Sequence, residues 1–218
     1  MSASQAFVFP LKEFSNDRVR LELFDQLLPR HIALVDEIVA HPDLIRYMPS
    51  TPWTSRAHFY SWYSEAQIDS TPSTTVFAIF DRVTSEPAGF IALLNTSSEH
   101  ETAEIGFLLI LPRWQRTHVT TNAAGLLVEY CMRDLKLRRL WWQANAVNVG
   151  SLRVAERLGM KLEGIQRWQQ VLPEGKEGPR RGEEEKIGRH TAILAICWDD
   201  WEKEEVRDAL QRQMQHVS

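Results

Sequence analysis

Between Thr75 and Leu135 the hydrophobic pattern changes its period once, and this change constrains the fold more than any other feature of the chain. Thr75–Phe80, Ala88–Asn95 and Thr102–Ile110 read as strands separated by the turn-prone stretches 81–87 and 96–100. Links this short join antiparallel neighbours, so the three runs form a meander. From Thr121 to Leu135 the spacing becomes helical, with Ala124, Leu127, Val128, Cys131 and Leu135 on one face. A meander followed by an amphipathic helix buries both apolar surfaces when the helix lies on the sheet, which predicts a mixed α/β layered fold.

The flanking segments extend this pattern. Val19, Leu21 and Leu23 alternate with Arg20 and Glu22 as in a half-buried first strand, and residues 1–17 before it read as a loose arm. Pro29 opens a helix with Ile32, Val35 and Val39 on one face, and His41-Pro42 closes it. A second helix follows Thr54-Ser55 and carries Phe59, Trp62, Tyr63 and Ala66; the stiff loop Tyr47–Trp53 lies between the two. Arg139–Ala144 is a strand with Trp141 and Trp142 on opposite faces. Asn148–Leu158 is a short helix ended by Gly159. Strands near Met160–Leu172 and Thr191–Trp198 and a polar helix over Asp200–Gln215 complete the chain. Residues 173–189 carry four glycines and almost no apolar side chain, as expected of a solvated excursion or of a lid over a site. No linker or repeat divides residues 18–218, which read as one domain.

The charge balance of 25 Lys and Arg against 29 Asp and Glu gives a net charge of −4, so nucleic acid and anionic membranes are not expected partners. The longest mostly apolar stretch, Gly89–Leu94, is far short of the ~20 residues of a membrane span, and Met1–Phe9 has no leader pattern. Cys131 and Cys197 lack metal-ligand spacing. The chain is therefore expected to be cytoplasmic, with buried thiols and no metal.

Leu111–Asn122 joins an apolar strand to a helix through basic and hydroxyl residues. A helix start leaves amides without partners and concentrates partial positive charge, so such a turn can hold a phosphate, with Arg113 and Arg116 adding contacts. Thr120, Thr121 or Asn122 can equally serve only as a cap.

The ordered set Pro87-Ala88-Gly89-Phe90-Ile91, Ala103-Glu104-Ile105-Gly106-Phe107, Pro112-Arg113-Trp114-Gln115-Arg116 and Asn148-x-x-Ser151-x-Arg153-x-x-Glu156-x-Leu158-Gly159-Met160 resembles the GNAT acetyltransferases, specifically their RimJ/RimL-like branch, over roughly Arg18–Trp198. The resemblance implies a splayed mixed sheet flanked by helices, opened between Thr102–Ile110 and Arg139–Ala144 to admit acetyl-CoA. It further implies that the pantetheine arm pairs with the backbone of Leu109, Ile110 and Leu111, and that the pyrophosphate rests on Gln115, Arg116, Thr117, His118, Val119 and Thr120. The family's turn pattern Gln/Arg-x-x-Gly-x-Gly/Ala has His118 and Thr120 in its small positions here, so His118 must point away or itself meet the phosphate.

Transfer to an amine needs a neutral nucleophile, a stabilised oxyanion and a proton for the leaving thiolate. Glu104 is the candidate base, against a cross-strand salt bridge or a solvent-facing polar position. The tyrosine many family members use as proton donor is replaced by Ala155, and Ser151 is the candidate substitute, against a role in satisfying helix-start amides. Asn148 is assigned to a pantetheine amide, to capping its own helix, or to both. Met48 and Trp53 are candidate walls of the acceptor pocket, against simple packing. The expected reaction is direct attack on acetyl-CoA by a primary amine, either a small molecule or a peptide N-terminus. The alternative is a noncatalytic CoA-binding or interaction module. The acidic run Glu183–Glu185 can attract a cationic acceptor, and the base rate for soluble oligomers points to a homodimer.

Overall fold

Three polar side chains fix where three of the helices begin. Ser55 accepts from the His58 amide, Thr117 from Val119 and Asn148 from Ser151, each meeting an amide that a helix start leaves free. The computed structural model describes residues 7–66, 68, 70–182 and 185–216. In chain order the elements are β1 (Phe14–Ser15), β2 (Val19–Leu23), α1 (Pro29–Ala40), α2 (Arg56–Glu65), β3 (Thr75–Asp81), β4 (Pro87–Ser97), β5 (Thr102–Ile110), α3 (His118–Glu129), β6 (Arg139–Asn145), α4 (Val149–Arg157), β7 (Lys161–Val171), β8 (Gly188–Cys197), α5 (Trp198–Trp201) and α6 (Glu204–Gln215). The expected mixed α/β architecture is present.

The strands form one sheet in the order β1-β2-β3-β4-β5-β6-β8-β7. Both faces are covered at its centre, which is why β3 is buried at every position and reads as a continuous apolar run. One core, built on Ile79, Ile105, Leu127, Trp142 and Leu194, lies under α3, α4 and α6; the other, built on Leu34, Phe59, Ala78, Phe90 and Leu109, lies under α1 and α2.

The sheet parts between β5 and β6. Their parallel register runs from Thr102↔Arg139 to Ile105↔Trp142 and then stops, although β5 continues to Ile110 and β6 to Asn145. Beyond that point β6 follows β8, paired from Arg139↔Cys197 to Asn145↔Thr191, while β5 follows β4 as far as Gly89↔Ile110. A two-against-one bulge helps β5 turn away: Phe90 pairs with Leu109 and Ala92 with Gly106, and Phe107 takes a φ of +47°.

Several boundaries differ from the sequence expectation. Phe14 belongs to a strand paired with β2 and is 2% exposed, so this part of residues 1–17 is core and not loose arm. The buried face of α1 is His31, Leu34, Val35 and Ile38; Ile32 and Val39 flank it. Helix α3 starts at His118, ahead of the expected Thr121, and its last turn widens at Tyr130–Asp134. Strand β8 starts at Gly188 and takes Arg189 out of the charged loop.

Candidate functional site

Where β5 leaves β6, its backbone alternates between a used and an open side. The Leu111 amide donates to Ala88 O at 2.9 Å, and the Leu109 carbonyl lies so close to Gly89, whose φ is +156°, that any Cβ there would collide with it. Leu109 and Leu111 thus turn their polar groups toward β4. Ile110 turns toward the opening, where its carbonyl accepts from Gln115 Nε2 at 3.0 Å.

The same side of the opening is bounded by the start of α3. Arg116 is exposed with a φ of +61°, and Thr117 Oγ1 donates to Trp114 O at 2.7 Å while accepting from the Val119 amide at 3.3 Å. The Val119 side chain is fully buried, and among the described residues the His118 and Thr120 amides have no acceptor. His118 points away from this turn: its Nε2 lies 2.9 Å from Asp81 Oδ2. Burial alone would raise the Asp81 carboxyl, but bonds from Thr84 and His118 outweigh it and hold the group below its ordinary value. Arg113 is engaged by Glu37 and by Pro87 O, so it does not reach toward the turn.

Glu104 lies just below the opening, on the face under α1 and α2, because Ala103 and Ile105 occupy the other core. It is 6% exposed and accepts from Asn95 Nδ2 at 2.7 Å. Asn95 reaches it from a bulge on β4, with a φ of +47° that asparagine tolerates better than most residues. Burial pushes the Glu104 carboxyl up to about 7, with the Asn95 bond and the charge of Arg189 opposing the rise.

Ser151 lies on the opposite face. Its Oγ accepts from Trp142 Nε1 at 2.9 Å, which leaves the hydroxyl proton free to donate elsewhere. Asn148 caps α4 through Ser151 N at 3.2 Å, and Ala155 is fully buried in the core.

Trp53 is 3% exposed and packs edge-on to Phe59 and against Trp62, so it is core; among the described residues its buried Nε1 nonetheless has no partner, nor does Ser50 Oγ. Met48 is half-buried against the same cluster. The charged loop lies across to this side. Lys176 is buried and donates to Ile45 O at 2.6 Å, and Glu177 pairs with Arg46. Glu183 and Glu184 lie outside the described residues.

A sheet opened in this way, with a helix start facing the gap, agrees with a match of residues 20–161 to the family model for the acetyltransferase (GNAT) domain. The chain belongs to the GNAT acetyltransferase family. Among GNAT proteins it is similar to an uncharacterized N-acetyltransferase, YnaD, of Bacillus subtilis, at 30% identity over 89 residues, or 41% of this chain; the alignment spans half the length of that relative. A GCN5-related N-acetyltransferase from Brucella melitensis shares 26% identity, with a TM-score of 0.75 over 93% of this chain and 85% of that one. The fold also matches spermidine N-acetyltransferase from Vibrio cholerae, solved with CoA and spermine, at 14% identity and a TM-score of 0.65 over 86% of this chain and all of that one.

As a GNAT protein the chain has groups that fit a CoA thioester: among the described residues, the edge of β5 that faces β6 has no strand partner beyond Ile105, and two amides at a helix start have no acceptor. Two polar residues of the cleft escape sequence reading. Asn95 reads as the end of a strand and Arg189 as the end of a loop. The only trace of the first is an asparagine at a strand terminus, where a left-handed residue can sit. Among the described residues no helix is long and apolar enough to cross a membrane.

Proposed function

We propose that the chain is an acetyl-CoA-dependent N-acetyltransferase of the RimJ/RimL-like branch, acting in the cytoplasm on a primary amine by direct attack in a ternary complex, with residues 18–218 working as one domain. The observation that carries this reading is the parting of β5 and β6 between a buried carboxylate on one face, Glu104, and a positioned hydroxyl on the other, Ser151.

Acetyl-CoA supplies the acetyl group as an activated thioester. The outward-facing Ile110 backbone is the pairing edge for the pantetheine arm, and the amides of His118 and Thr120 hold the pyrophosphate. Arg116 adds charge, and Asn148 adds an amide contact beside its capping bond. Glu104 takes the proton from the acceptor ammonium. A carboxyl near 7 takes that proton far more readily than an ordinary one, since an α-amine titrates near ~8 and a lysine near ~10.4. The Ile110 N–H polarises the carbonyl under attack, and Ser151 Oγ–H, oriented by Trp142, donates toward the leaving sulfur.

The test is thiol release from acetyl-CoA with a broad panel of amines, run beside Glu104→Gln. Amine-dependent release that the variant loses supports the reading. A second reading, a noncatalytic CoA-binding module, is favoured by the core position of Ala155 and by His118 and Thr120 in the turn. CoA binding with no release for any amine would select it.

A further inference from the structure

Arg189 is 8% exposed, its Nε is buried with no partner, and no described residue hydrogen-bonds or ion-pairs with its guanidinium. On β8 the side chains of Ala192, Leu194 and Ile196 enter the core under α3, so Arg189 shares the other face, that of Glu104. Through β6, Glu104 is level with Ala195, since Glu104 pairs with Trp141 and Trp141 with Ala195. Arg189 therefore lies further along β8, toward the open end of the gap. Each of the two charged groups feels the other, yet no ion pair forms between them.

A buried guanidinium keeps its charge and loses its hydration, a cost that an arriving anion offsets. Glu104 does not supply that anion, because it stays out of contact range and is held by Asn95. The described loop residues nearest Arg189 are also tied down. Gly188 N donates to Pro179 O at 2.8 Å, Gly178 packs too tightly against the Gly188 carbonyl to carry a Cβ, and Lys176 and Glu177 tie the far side of the loop to Ile45 and Arg46. A planar fork with an idle Nε–H, walled on that side, matches a carboxylate.

We propose that the acceptor is a small amino-carboxylate, with its amine at Glu104 and its carboxylate on Arg189. The inference rests on the acetyltransferase reading and narrows it: a peptide N-terminus presents a neutral amide where this site presents a cation.

The test compares amino acids and related amino-carboxylates with their own amides and decarboxylated amines, by turnover and by calorimetric titration of the full chain with CoA present. Wild type is expected to turn over and bind the carboxylate forms at least about 30-fold better than the matched amines. Arg189→Met, which replaces a buried charge by an apolar chain, should abolish that preference, read as the ratio of carboxylate form to matched amine within the variant, while leaving CoA affinity unchanged. Arg189→Lys, which keeps the charge, should retain part of it. Equal binding of carboxylate and amide forms by wild type, or an equal loss for both in Arg189→Met, overturns the proposal. If no amine is acetylated but carboxylates bind selectively through Arg189, the acetyltransferase reading fails and the carboxylate site stands.

Discussion

Asn95 Nδ2 donates to Glu104 Oε2 at 2.7 Å from a left-handed position on β4, so the carboxylate is held in one orientation by a neighbouring strand while burial raises its affinity for a proton. The reaction needs the ionised form. Activity should therefore rise with pH through about 7 and level off above it, on a profile of kcat/KM against pH for an acceptor whose own amine titrates well above that range. Glu104→Gln should lower kcat by about 100-fold or more and remove this limb.

The same shift predicts a stability effect. In the unfolded chain Glu104 titrates near 4.5, in the folded chain near 7, so the native state binds the proton more tightly. The stabilisation this gives is complete below 4.5 and lost as pH rises through 7. Glu104→Gln keeps an acceptor for Asn95 without the buried charge. Its unfolding free energy should exceed that of wild type by about 3 kcal/mol at pH 8 and match it near pH 4, read from urea titrations at both values.

Ser151 and Trp142 form a pair of a different kind, with the indole orienting the hydroxyl. Ser151→Ala should reduce kcat by about 10- to 100-fold with CoA affinity unchanged. Trp142→Phe leaves the hydroxyl in place without its orienting bond and should give a smaller loss in kcat, together with a loss of stability, because Trp142 is 2% exposed in the core.

Gly89 combines a φ of +156° with a backbone that meets the Leu109 carbonyl where a side chain would be. Gly89→Ala should push β4 from β5 on the side away from the gap, shift the Ile110 edge that faces it, lower the unfolding midpoint and weaken CoA binding together, as followed by thermal melts and calorimetry.

The parts of this fold that periodicity determines were legible in the chain. The three central strands and the cap at Asn148 fall where apolar spacing and capping residues put them, because those signals are local. Phe14 escaped because a two-residue strand has no period, and its burial depends on the partner β2. His118 was legible as part of an anion-prone turn but not as the partner of Asp81, which lies 37 residues away at the end of β3. Arg189 was hidden in a charged run that composition marks as solvent-facing; only its pairing within β8, on the face opposite Ala192 and Leu194, shows that it is buried. Glu104 could be named as a carboxylate on the right strand, but its raised affinity for a proton comes from burial, which the Asn95 bond only partly opposes, and neither is a property of its own segment.

The central claim is that a thioester nucleotide lies along the unpaired edge of β5 with its diphosphate at the start of α3. Amide hydrogen exchange of the full chain with and without acetyl-CoA tests it directly. Protection is expected at Ile110 and at His118 and Thr120, with little change on β7. Binding without protection at those amides, or protection centred elsewhere on the sheet, would contradict the account.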